Sequence, residues 1–424
     1  MARTTRETIT ATWREESARL VGALARMTRD LDLAEDLAQD ALVSALEQWP
    51  THGIPDNPGA WLMTVAKRRA VDSFRRADNL RHRTEELGRG LREEDPMSDL
   101  TSQVDFIEDD VLRLIFLSCH PRLTAESRAA LTLRLVGGLT TAEIARGFLV
   151  GETAIGQRIS RAKKTLSEVG VDFELPTGAE RIERLDDVLA VVYLIFNEGY
   201  TATAGSDWMR PELTNEAIRL SRMLAELIPD DPEVHGLQAL LELQASRASA
   251  RVDAEGTPVL LDDQDRNLWD ELLIRRGLAA LQRAESLAGR GKSVGRYYLQ
   301  GAIASHHARA ASAAETDWHA IARLYDVLAE AAAGPIVEVN RAVAHGRAFG
   351  ASAGLAILDR LPVGALVGSH LLPSVRADLL VRAGRHVEAA AAFREAASLT
   401  ANDREQSLLL GRAADSQLAA PESP

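Results

Sequence analysis

Gln157, Arg158, Arg161 and Lys164 are the residues whose types and spacing most clearly suggest chemistry. At spacings of one, three and three they share one side of a helix, with Thr153 one turn earlier. Ile155, Ile159, Ala162 and Leu166 fall at i, i+4, i+7 and i+11 and make the opposite, apolar side. An amide and three cations on an exposed face are donors suited to phosphate oxygens and to guanine edges in a major groove. A lone basic helix is more often a solvated surface, so the preceding elements decide. Thr140 and Glu143 form a Thr-x-x-Glu capping box, which starts a helix whose Ile144, Ala145 and Phe148 face inward. "LVGE" supplies a turn, and a further helix, Glu126–Leu135, ends at Gly137–Gly138. Three helices in this order predict a helix-turn-helix.

A second basic element lies upstream. Residues 61–83 carry seven basic side chains against two acidic. Leu62, Val65 and Ala66 can pack inward, while Arg68, Asp72, Arg75 and Arg76 share an outer face with Lys67 beside it. Trp61 has two readings, a core ring or a ring that stacks on or wedges beside a base in melting DNA. Before it, residues 7–49 read as helical, with the stripe Leu33, Leu37, Ala41, Ala45 and Trp49. "PTHGIPDNPGAW" breaks the chain. Residues 84–110 hold ten acidic side chains against two basic, which marks a linker.

The 424 residues carry a formal charge of −13, with 46% hydrophobic residues and only 4% aromatic. Alanine and leucine dominate, so helices packed on helices are expected: an all-α fold. An acidic total argues against coating nucleic acid through bulk charge, but not against local basic faces. Cys119 is the single cysteine, so no intrachain disulfide forms. "MARTTRETITATWREESARL" does not read as a signal peptide, and no window suggests a membrane span, so the cytoplasm is the expected address and no membrane partner is expected. Neither P-loop, zincin nor nucleophile-elbow motif occurs, Cys119–His120 lacks further zinc ligands, and Asp262, Asp263 and Asp265 lack the calcium-loop pattern. An enzyme, a cofactor and a metal are therefore not expected.

"AEDLAQDALVSAL", "AWLMTVAKRRAVDSFRR" and "LTLRLVGGLTTAEIARGFLVGETAIGQRISRAKKTL", in that order, resemble bacterial RNA polymerase sigma factors of the extracytoplasmic-function type over about residues 7–170. The resemblance implies region 2 over 7–80, an acidic linker over 81–106 and region 4 over 107–170. It implies core RNA polymerase and promoter DNA as partners. Asp36, Gln39 and Asp40 match the helix that docks on the polymerase clamp. Trp61, Lys67, Arg68, Asp72, Arg75 and Arg76 match the helix that meets the minus-ten element, where a base is flipped out. Arg68 departs from the family, many of whose members have asparagine there. Thr153, Gln157, Arg158, Arg161 and Lys164 match the helix that reads the minus-thirty-five element. Such linkers thread toward the active-site and RNA-exit channels of the polymerase.

Residues 180–417 read as helix after helix, a C-terminal extension resembling that of a sigma-factor subgroup with tetratricopeptide-like helices. "GRHVEAAAAFREAASL" places Ala389, Phe393 and Ala396 at the spacing of a repeat's second helix, with an echo in "GASAGLAILDRL" about 34 residues earlier. "FNEGYTATAGSDWMRPEL" reads as a loop holding Asn197, Glu198, Tyr200, Asp207, Trp208 and Arg210. Regulation of the sigma domains in cis, through a peptide or small-molecule signal at this domain, is the further expectation. The alternatives are a one-component helix-turn-helix regulator with a helical sensor domain, and a repeat scaffold. The first leaves the 61–83 helix and the Asp36/Gln39/Asp40 face without a task; the second makes the DNA-like helices incidental.

Overall fold

Helices account for most of the described residues. The computed structural model describes residues 5–85, 107–148, 150–169, 176, 178–200, 204–205, 209–253, 257–362 and 364–420, leaving aside the side chains of 14, 76–85, 107–109, 146–147, 178–179, 181–183, 204–205 and 401. Most of the expected acidic linker lies outside the described residues, as do Asp207 and Trp208. The fold is all-α. Besides isolated 3-10 turns and one bridge, its extended structure among the described residues is a two-residue parallel pair, β1 (Ala204–Gly205) with β2 (Ala401–Asn402). The chain forms two units, Met1–Val191 and Val192–Pro424.

The first unit begins with α1 (Thr5–Thr28), α2 (Leu31–His52) and α3 (Pro58–Glu85). The stretch 7–49, expected to be helical, forms two helices. Arg29 takes a left-handed φ of 52°, and the Asp30 carboxylate accepts from the backbone N–H of Asp32 and Leu33 at 2.9 and 3.0 Å, starting a new helix. Leu37, Ala41, Ala45 and Trp49 are buried as the stripe requires and Leu33 is half-buried; Leu24 of α1 and Leu62 and Ala66 of α3, the helices that pack on α2, are buried too. Full burial of each large side chain contributes about 1.5–3 kcal/mol. Then come α4 (Ile107–Ser118), α5 (Ala125–Leu135), α6 (Thr141–Gly147) and α7 (Glu152–Val169). Their core includes Leu114, Phe116, Leu131, Leu133, Ile144 and Ile155, all at 2% exposure or less. The next helix, α8 (Gly178–Tyr200), starts in this unit: Arg184 donates to the Phe116 carbonyl at 2.8 Å and Asp187 pairs with Arg128 at 2.6 Å.

The expected loop around Asn197 is also corrected. Val188, Leu189, Val192, Ile195 and Phe196 continue a buried helical series, so Asn197, Glu198 and Tyr200 complete α8. Glu198 is then tied by a salt bridge to Arg210.

The second unit continues with α9 (Pro211–Leu227), α10 (Pro232–Ala245), α11 (Glu271–Ala288), α12 (Arg296–Arg309) and α13 (Trp318–Ala331). It ends with α14 (Pro335–Phe349), α15 (Ala351–Leu358), α16 (Leu371–Arg382), α17 (His386–Leu399) and α18 (Asp403–Leu418). From α13 to α18 each helix packs on the next, as in a helical-hairpin array. Ala389, Phe393 and Ala396 of α17 are fully buried in one core with Leu379 of α16 and Leu409 of α18. The small alanines let these helices approach closely.

Candidate nucleic-acid interface

The helix-turn-helix is built from its caps outward. The Thr140 hydroxyl accepts from the Glu143 N–H at 3.2 Å, and Glu143 Oε2 accepts from the Thr140 N–H at 2.8 Å, closing the capping box at the start of α6. Ile155, Ile159, Ala162 and Leu166 seat α7 on the core. Thr153, Gln157, Arg161 and Lys164 are exposed, and Arg158 is half-buried. Their own contacts are weak: Arg161 reaches Gln157 Oε1 at 3.5 Å and Lys164 reaches Glu168 at 3.7 Å. The Glu126 carboxyl lies below the usual range through its own backbone N–H and the Thr124 hydroxyl, with Arg158 adding a smaller pull.

On α3, Leu62, Ala66 and Ala70 are buried, Lys67 is half-buried, and Arg68, Asp72 and Arg75 are exposed. Arg76 lies outside the described side chains. Trp61 is half-buried and packs edge-to-face on buried Trp49, centroids 5.5 Å apart at 68°. One side of its ring thus belongs to the core, and its half-exposure leaves a part at the surface.

On α2, Asp36 and Asp40 are exposed and Gln39 is half-buried. Asp40 is engaged: Arg69 pairs with it at 2.8 Å and donates to Ser44 Oγ at 2.8 Å. Leu33, Asp36, Leu37, Asp40, Arg69 and Ser73 line a groove of about 270 Å³ between α2 and α3.

The sequence reading missed how the two helical groups of this unit hold each other. Glu35, 7% exposed, accepts from Arg134 Nε at 2.5 Å and from Lys163 Nζ at 2.6 Å. Lys163 also reaches Asp32 at 2.7 Å. Burial works against the Lys163 charge; Glu35 and Asp32 outweigh it and hold the ammonium above the usual lysine range. On α4, Asp110, 1% exposed, takes Arg26 of α1 at 3.0 Å and Arg113 at 2.8 Å; burial still holds its carboxyl above the usual range. Trp13 Nε1 donates to the Gly138 carbonyl at 3.2 Å, where Gly138 has φ 67° and a Cβ would meet Ser17 Oγ at 2.5 Å. The polar side of α7 therefore faces outward while Lys163, on its flank, clasps α2. An available signal was Glu35 beside the apolar Ala34 and Ala38, an acid on the buried side of an amphipathic helix.

Cys119 is fully packed, 3.4 Å from Thr132 Oγ1, and burial pushes its thiol up to about 12. It behaves as a core side chain.

Residues 13–80 match Sigma-70 region 2, residues 113–166 match Sigma-70, region 4, and residues 184–285 match a family of unknown function (DUF6596). An uncharacterized protein of Rhizobium meliloti (strain 1021) is 43% identical over 389 residues, which is 91% of this chain and 90% of that protein. The probable ECF RNA polymerase sigma factor SigI of Mycobacterium tuberculosis (strain ATCC 25618 / H37Rv) is 27% identical over 174 residues, 41% of this chain and 59% of SigI. The ECF RNA polymerase sigma factor SigK of the same strain is 31% identical over 155 residues, 35% of this chain and 78% of SigK. Regions 2 and 4 follow each other in sigma-factor order with a long helical part behind them, and the chain belongs to the ECF-type RNA polymerase sigma factors.

Proposed function

We propose that this sigma factor rests in a closed form, with region 4 clasped on region 2, and opens when it joins core RNA polymerase at a promoter. In this reading Asp36, Gln39 and Asp40 meet the polymerase, Trp61 to Arg76 meet the minus-ten element, and Thr153, Gln157, Arg158, Arg161 and Lys164 read the minus-thirty-five element. The observation that carries it is the Glu35 carboxylate shared between Arg134 and Lys163. Promoter elements at minus ten and minus thirty-five lie about 25 base pairs apart, about 85 Å at 3.4 Å per pair. Helix α3, 28 residues long, extends about 42 Å. A recognition helix held against α2 cannot reach one element while α3 occupies the other, so the Lys163–Glu35 contact must break. Asp40 must also exchange Arg69 for a polymerase cation, or present both to it. The cytoplasm, where polymerase and DNA meet, is the proposed place of action.

The C-terminal extension is proposed to regulate these domains in cis, because a tether raises its effective concentration at regions 2 and 4. A chain ending after Val191 is the test. An earlier cut, at Pro176, would also strip Arg184 and Asp187 from Phe116 and Arg128 of region 4. Promoter-dependent transcription by the shortened chain should fall several-fold relative to the full chain, with circular dichroism showing that its helices persist. Equal transcription by both chains, under resting and inducing conditions, would remove the extension from the account.

A further inference from the structure

The second unit contains a stack of rings and guanidinium groups that promoter recognition does not use. In order it runs Arg266, Trp269, Arg247, Tyr200, Arg251. The Arg266 and Arg247 Cζ atoms lie 4.7 and 5.9 Å from the Trp269 ring centre. Those of Arg247 and Arg251 lie 6.0 and 3.6 Å from the Tyr200 ring centre. The residues come from the end of α8, the turns after α10 and the approach to α11. Ring faces attract cations without neutralising them.

Among the described residues, the hydrogen-bond partners of Arg247 and Arg266 are neutral. Arg247 donates to the Tyr200 hydroxyl at 2.8 Å and to Gln244 Oε1. Arg266 donates to the carbonyls of His307 and Ala310 at 2.5 and 2.7 Å and to Thr316 Oγ1 at 3.3 Å. The acids whose charge reaches Arg266 are Asp262 and Glu315. Asp262 is committed to Arg347 at 2.5 Å and Arg382 at 3.2 Å, and Glu315 accepts from Ser312 at 2.8 Å. Positive charge thus accumulates on half-buried guanidinium groups beside the buried Trp269 ring. Its effect is visible on His307, which burial and then Arg247 and Arg266 push down to about 3.

Beside Arg247 this charge meets a cavity. Leu243, Gln244, Arg247, Trp269, Ala304, His307 and Ala308 line about 10 Å³, room for one water-sized group. Trp269 is 5% exposed, and its Nε1–H has no hydrogen-bond partner among the described residues; neither has His307 Nδ1. A buried indole N–H is donor-only and is rarely left unsatisfied. Gln244, Arg247, His307 and Ala308 are half-buried, so the mouth of the cavity reaches the surface. A water would satisfy the indole and leave the charge unbalanced; an anionic oxygen does both.

We propose that this cavity binds an oxyanion, with one oxygen of a carboxylate or phosphate group accepting from Trp269 Nε1–H and Arg247, and the remainder of a small-molecule anion at the mouth. Binding rests on the second unit alone; only its use as a signal rests on the cis regulation proposed above, so binding can hold where that regulation fails.

The full chain, labelled with ¹⁵N, has six tryptophans, and Trp269→Phe identifies the Trp269 indole signal by its disappearance. Sodium phosphate and sodium acetate are titrated separately, with sodium chloride keeping ionic strength constant. The Trp269 signal should shift saturably with at least one of them, and the stronger of the two arms tells a phosphate-bearing from a carboxylate-bearing ligand. Arg247→Met should weaken that binding at least about tenfold, the loss of a charge-assisted hydrogen bond. If Arg247→Met disturbs the remaining indole signals, Arg247→Lys, which keeps the charge but not the planar fork, should still weaken it. No shift with either anion, the same shift with chloride alone, or unchanged affinity in the Arg247 variant would overturn the proposal.

Discussion

Replacing Glu35 with alanine should release region 4 from region 2. The substitution removes the nearly buried carboxylate that Arg134 and Lys163 share, leaving Lys163 with exposed Asp32 and Arg134 with the Leu139 carbonyl. Removing one partner of a buried ion pair costs about 3–5 kcal/mol, and the side chains here retain 10–20% exposure, so about 2–4 kcal/mol is the appropriate range. That moves the closed–open equilibrium roughly a hundredfold. Energy transfer between dyes at exposed Thr64→Cys and Ser160→Cys reads it directly, and the burial of Cys119, 1% exposed, keeps the native cysteine out of the labelling. Transfer should fall in Glu35→Ala. It should be retained when Glu35→Leu is combined with Lys163→Met and Arg134→Met, which replaces all three charges of the clasp by apolar volume. Gly22→Val should act like Glu35→Ala by a different route. A Cβ at Gly22 already lies 2.9 Å from the Asp110 carbonyl oxygen, so a branched side chain wedges α1 from α4. Unchanged transfer in both variants would mean that the clasp does not govern the arrangement.

Arg158→Ala and Arg161→Ala should each reduce activity at the cognate promoter by about 1–3 kcal/mol, roughly 5- to 150-fold. Neither arginine makes a strong ion pair among the described residues, so the expected effect on this proposed recognition face is one of binding. An arginine that reads a base relaxes preference at one position. Lys164→Ala should instead weaken all sequences alike if the ammonium meets a phosphate. A library of upstream elements, transcribed by holoenzyme carrying each variant, separates the two. If neither arginine variant changes output on any sequence, the recognition face lies elsewhere on the helix-turn-helix.

Where the sequence was informative, the physics was local. The capping box Thr140/Glu143 and the stripe from Ile155 to Leu166 state their structure within a few turns, and α6 and α7 form there. Ala389, Phe393 and Ala396 likewise announce a helix buried on both sides. The break at Arg29 was harder, because the amphipathic pattern continues across it; only Asp30, a good cap with an acidic residue after it, marks the new start. Asn197 to Tyr200 looked like a loop because glycine and polar residues suggest one, yet the buried series through Phe196 prolongs α8. The clasp and the arginine–aromatic stack were not legible. Glu35 and Lys163 are 128 residues apart, and Tyr200, Arg247, Arg266 and His307 each sit in a different segment. Charges on a buried face say that a partner exists and leave its identity to the tertiary fold. The candidate DNA-facing residues could be named because helix periodicity determines a face; their present engagements, such as Asp40 with Arg69, could not.

The most direct test is run-off transcription with purified core RNA polymerase and a set of promoter templates. Specific transcripts should appear only when this chain is added, and should weaken when Asp36 and Asp40 are both replaced by lysine, a change on the exposed side of α2 that leaves its buried stripe intact. Specific DNA binding by the chain without core polymerase, together with no chain-dependent transcript when core enzyme is supplied, would contradict the account.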